Sequence, residues 1–176
     1  MEQNKYEIRI ALQELRDSID LRKKDWINRP YTNCYAYALG LDIPEKQICS
    51  YAYSPGVIGQ SDVFLPKYRT YSYEQLINNM LMDFDALGIA CREADTTDCV
   101  LDDEWKIALF LTGTHKEIID FHFLREHQDG IWYHKAGKQG LVTNLDDYHQ
   151  IIYNPQNCIL LQRSYDRCFT LTLKRN

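Results

Sequence analysis

The apolar positions of the chain change period once, near its middle. Ile8, Leu12, Leu15 and Ile19 recur at helical spacing with charged residues between them, which predicts an amphipathic helix over about residues 4–24. Asn28, Arg29 and Pro30 interrupt it, because the residue before a proline avoids helical torsions and proline has no N–H to donate. The run Asn33-Cys34-Tyr35-Ala36-Tyr37-Ala38-Leu39-Gly40 follows. Thr32 or Asn33 suits an N-cap and Gly40 a left-handed stop, so this helix is short, and its uncharged sides predict burial. Between 41 and 71, Pro44, Pro55-Gly56, Gly59 and Pro66 leave no sustained period, which predicts a long irregular loop, a kind of segment that is often functional. Ser72 and Gln75 form a capping box ahead of Leu76, Ile77, Met80, Leu81, Phe84 and Leu87, and Gly88 ends that helix.

After Gly88 the period shortens to alternating or short apolar runs at 89–91, 105–111, 117–125, 131–134, 157–162 and 168–173, which predict strands. Polar turns such as Thr112-Gly113-Thr114, Gln128-Asp129-Gly130 and Asn154-Pro155 separate them. Helices first and strands second is an α+β order with a mainly antiparallel sheet. With 176 residues there is room for one core of ordinary size, so 1–176 reads as a single domain.

Composition narrows the partners. A net charge of -5 with Lys and Arg scattered along the chain leaves no basic stripe, so neither nucleic acid nor a membrane surface is expected as a partner. No stretch has the length and apolarity of a membrane span, and Met1-Glu2-Gln3-Asn4-Lys5-Tyr6-Glu7 has no signal core, which predicts a cytoplasmic location. The cysteines at 34, 49, 91, 99, 158 and 168 then read as reduced thiols. Histidines and cysteines show no Cys-x-x-Cys or His-Glu-x-x-His spacing, so no metal and no cofactor is expected.

One constellation carries chemistry. Cys34 stands in the first turn of a buried helix, where unpaired N–H groups and the helix dipole favour thiolate and where the Asn33 side chain or Tyr31 would add oxyanion donors. His122 lies in the apolar strand Ile118-Ile119-Asp120-Phe121-His122-Phe123-Leu124 and needs a polar partner there, which a thiolate supplies. His134, on the next strand, would orient His122 if the turn between the strands has an odd number of residues, such as Gln128-Asp129-Gly130, because Leu124 then pairs with His134. A two-residue Asp129-Gly130 turn sends His134 to the other face and makes Asp120, Asn144 or Asp146 the orienting group.

A cysteine opening a central helix, a histidine on the second of several antiparallel strands and a third polar residue one hairpin later resembles the NlpC/P60 peptidases, a papain-like group of cysteine peptidases and amidases. The resemblance covers about 31–40 and 118–137. The family's usual Asp-Cys-Ser-Gly is replaced here by Asn33-Cys34-Tyr35-Ala36, and this word and Trp132-Tyr133-His134-Lys135-Ala136-Gly137 look like those of bacterial and phage proteins. The resemblance implies a papain-like fold with the nucleophile helix packed on the sheet and a peptide or amide substrate. Cys34 would be the nucleophile, His122 the base and His134 its orienting residue. Two other classes share these residues: a non-catalytic interaction or inhibitor protein on the same scaffold, and an acyltransferase of transglutaminase type.

Overall fold

The computed structural model describes residues 13, 16, 17, 19, 32–41, 54–59, 71–137 and 140–174. Helix α1 is Cys34–Ala38 and helix α2 is Tyr73–Ala86. The strands are β1 (Ile89–Ala94), β2 (Glu104–Thr114), β3 (Glu117–Glu126), β4 (Trp132–Lys135), β5 (Val142–Thr143) and β6 (Ser164–Leu173). They form one antiparallel sheet in the order β1-β6-β2-β3-β4-β5, so the fold is α+β.

The helix boundaries follow from local chemistry. Around α2, Ser72 and Gln75 satisfy each other's backbone N–H groups, and Gly88, at φ +67, supplies the left-handed stop. Around α1, Gly40, at φ +73, lets its own N–H reach Tyr37 O and that of Leu41 reach Ala36 O, a paired closure only a left-handed residue permits.

The sheet has two differently covered faces. Alternation sends Trp105, Ile107, Leu109, Phe123, Phe169 and Leu171 toward the helices, where they pack with Tyr35, Ala38, Leu76, Met80 and Phe84. Trp105 Nε1 donates to Ala38 O at 3.0 Å, and the Tyr35 ring lies 5.0 Å from that of Phe123. The opposite face carries Ala108, Phe110, Leu124, Trp132 and Cys168, packed with Ile152 and Leu160 from the segment before β6.

The expected strands change in two places. The run at 157–162 is no strand: residues Pro155–Asn157 form a 3-10 turn, and the N–H groups of Ile159 and Leu161 go to the carboxylates of Asp146 and Asp147, which replace strand partners. Strand β5 arises in a segment without the expected alternation. Of the expected 4–24 helix, Gln13, Arg16 and Asp17 are helical and Ile19 is not; the other positions lie outside the described residues. The expected 41–71 loop is described only at Leu41, 54–59 and Tyr71, of which 54–59 is a turn. No helix among the described residues is long and apolar enough to cross a membrane.

Candidate active site

Cys34 opens α1. Asn33 is the N-cap, and its Oδ1 accepts the Ala36 N–H at 2.9 Å, so the side chain expected to help an oxyanion spends its carbonyl oxygen on the helix. Tyr31 lies outside the described residues. Cys34 is only 6% exposed, and the backbone N–H groups of Phe123 and Tyr35 lie beside its sulphur. Burial outweighs those dipoles and pushes the thiol up to about 11, the next contributions being the Phe123 N–H, which lowers it, and Asp120, which raises it. The thiolate expected from the helix start is therefore corrected to a resting thiol. A helix of five residues has too few aligned peptides to offset the lost hydration.

The register question has a definite answer. His127 N–H donates to Ile131 O, Gly130 N–H donates to His127 O, and Gly130 sits at φ +73. The loop is thus the three-residue Gln128-Asp129-Gly130 with its left-handed third position. Leu124 consequently pairs with His134, which puts His134 on the same sheet face as His122. The two imidazoles meet edge to face with His122 Nε2 2.8 Å from His134 Nδ1, and His134 Nε2 lies 2.9 Å from Leu145 O.

This chain has a direction. A carbonyl only accepts, so His134 Nε2 carries the hydrogen and, in a neutral ring, His134 Nδ1 is bare. His122 Nε2 must then be the donor between the rings, which leaves His122 Nδ1 as the basic nitrogen. Burial first, then the fields of His134 and Arg163, holds His122 well below the usual histidine range; burial also lowers His134, against the Leu145 carbonyl, which raises it. Both rings are accordingly neutral near pH 7.

The sulphur and the imidazoles approach the same stretch of β3 from different faces. The β3–β4 ladder stops at Leu124↔His134, and β4 continues beside β5 at Lys135↔Val142. The N-terminus of α1 meets β3 just past the end of that ladder, where the sulphur lies against the N–H of Phe123, the residue after His122. The sulphur belongs to the helix-side cluster, whereas His122 shares its face with Phe110 and Leu124. Among the described residues, the hydrogen bonds of the two rings run to each other and to Leu145 O, and none reaches the sulphur.

The carboxylate candidates are engaged elsewhere, and neither imidazole bonds to the Asn144 side chain. Asp120 takes Arg163 through Nε at 3.1 Å and Nη2 at 2.8 Å. Asp146 accepts from the N–H groups of Tyr148, Gln150 and Ile159. Sequence reasoning missed two residues. Arg163 acts electrostatically on Cys34, His122 and His134 together. Buried Asp83 of α2 accepts the N–H groups of Gly56, Ile58 and Gly59 and the hydroxyl of Tyr35, tying segment 54–59 to α1. Nothing in the local sequence marks either residue, since a charged turn and a polar helix position normally face water.

Among the described residues no three His, Cys, Asp or Glu side chains converge to hold a metal ion. Compared with models of known families, with curated proteins and with solved structures, the chain finds no match.

Proposed function

We propose that the protein is a cysteine-dependent hydrolase of an amide, peptide or isopeptide bond, built on a papain-like arrangement of NlpC/P60 type and working through an acyl-enzyme. The observation that carries this reading is the directed chain from Leu145 O through His134 to His122, because it leaves the base a neutral thiol needs. As a substrate carbonyl enters and the opening around the buried sulphur brings Sγ within reach of His122 Nδ1, to which it is not bonded at rest, that nitrogen takes the Cys34 proton while Sγ bonds to the carbonyl carbon. The backbone N–H of Cys34 faces the developing oxyanion. His122, now an imidazolium whose Nε2–H is held by His134, passes the proton to the leaving amine, and a thioester remains. Water, deprotonated by the same ring, releases the acid and restores the thiol. An amine in place of that water gives acyl transfer with identical groups. Since the sulphur is buried, entry of substrate accompanies a local opening around it.

A second reading, a non-catalytic binding or inhibitor protein on the same scaffold, draws on the burial of the sulphur and its rise to about 11. Acylation by p-nitrophenyl acetate, located by peptide mass spectrometry, separates the two. The hydrolase reading expects label on Cys34 and a loss of about a hundredfold or more in its rate in His122→Ala, with a smaller loss in His134→Ala. Equal labelling in wild type and His122→Ala favours the binding protein.

A further inference from the structure

Along the face of β3 that carries the base, the polar row is Asp120, then His122, with His134 across the ladder from Leu124. Arg163 completes it from a different element. Its turn closes with Arg163 N–H on Leu160 O at 3.0 Å, holds Gln162 at the left-handed φ of 67 and is pinned to β2 where Thr112 Oγ1 donates to Gln162 O. From there the guanidinium crosses β2 and meets Asp120. A left-handed non-glycine residue costs backbone energy, so Arg163 is set in place at some expense.

The pairing is lopsided. Arg163 Nε and Nη2 both donate to one oxygen, Asp120 Oδ2, while Nη1 and Asp120 Oδ1 hold no partner among the described residues. The Arg163 side chain is 33% exposed and that of Asp120 49%, whereas Cys34 and His122 are buried residues. The pair is thus the solvent-facing part of an otherwise buried constellation. An exposed ion pair contributes little to stability, whereas a guanidinium fork with free donors matches a carboxylate.

We propose that Arg163, whose guanidinium Asp120 occupies at rest on one oxygen only, is the specificity residue of this site and takes a carboxylate of the substrate, so that the preferred acyl donors are amides bearing a free carboxylate near the scissile bond. The proposal rests on the hydrolase reading for where that bond lies, yet carboxylate capture can be measured without turnover.

Two probes test it. The rate of Cys34 alkylation by iodoacetate relative to iodoacetamide, normalised to the same ratio for glutathione, is expected to exceed unity by about tenfold. Arg163→Gln should bring it to unity, Arg163→Lys should retain part of it and Asp120→Asn, which frees the guanidinium, should raise it. N-acetylglycine, titrated against the imidazole nitrogen signals of His122 and His134, should shift them at lower concentration than N-acetylglycinamide, and Arg163→Gln should erase the difference. A wild-type ratio at unity, or one that survives Arg163→Gln, overturns the proposal, as does equal binding of acid and amide. If Cys34 resists both alkylating agents while N-acetylglycine alone shifts the imidazoles, the carboxylate site stands and the hydrolase reading falls.

Discussion

At the residue scale, hydrogen-bond direction decides the chemistry. Because Leu145 O can only accept, one carbonyl fixes the tautomers of two neutral rings in series and leaves His122 Nδ1 the bare nitrogen, the one the proposed reaction uses as base. Long-range proton–nitrogen spectra at pH 7 should therefore show both imidazoles neutral and both protonated at Nε2. A cationic ring, or His122 protonated at Nδ1, would contradict the relay. The contact between His122 and His134 was legible in the sequence, because His122 stands polar in an otherwise apolar run and a three-residue turn puts His134 on its face. The state of the thiol was not legible: a helix start and a cysteine suggest thiolate, but the sign is set by desolvation from partners distant in sequence.

At the element scale, caps and turns were the readable features and strand pairing was the unreadable one. Ser72, Gln75 and Gly88 bound α2 as their chemistry requires, and the Asn33 cap and Gly40 closure bound α1. The hairpin turn offered two registers of opposite consequence, and only the pairing of Leu124 with His134 distinguishes them. The run at 157–162 misled because two aspartates from a remote loop satisfy its N–H groups. Asp83 adds a testable linkage at this scale. Burial raises its carboxyl from 3.8 to about 6, against the N–H groups of Gly56, Gly59 and Ile58 and the Tyr35 hydroxyl, which lower it. A raised acid contributes stability that is present below the unfolded value and lost as pH rises through the folded one. The unfolding free energy of wild type relative to Asp83→Asn should fall between about pH 4 and 6 by on the order of 3 kcal/mol. A difference independent of pH in denaturant titrations would refute it.

At the scale of the whole molecule, one sheet separates two tasks. Its helix-side face holds α1 and α2 and places the sulphur, while the other face carries the imidazoles and the Asp120–Arg163 pair. The α+β order and antiparallel sheet were legible because the hydrophobic period changes once, after Gly88. That the sulphur and the His122 imidazole lie on different sides of the sheet, near where the β3–β4 ladder ends, depends on strand order and was not. The proposed reaction turns on proton transfer across that edge, and the pH profile of Cys34 acylation by p-nitrophenyl acetate under single-turnover conditions reads it most directly. With His122 as base and held below the usual histidine range, the wild-type rate should already be level through neutral pH, while that of His122→Ala should climb about tenfold per pH unit toward the thiol value of about 11. Wild-type and His122→Ala profiles that climb together toward that value would contradict the account.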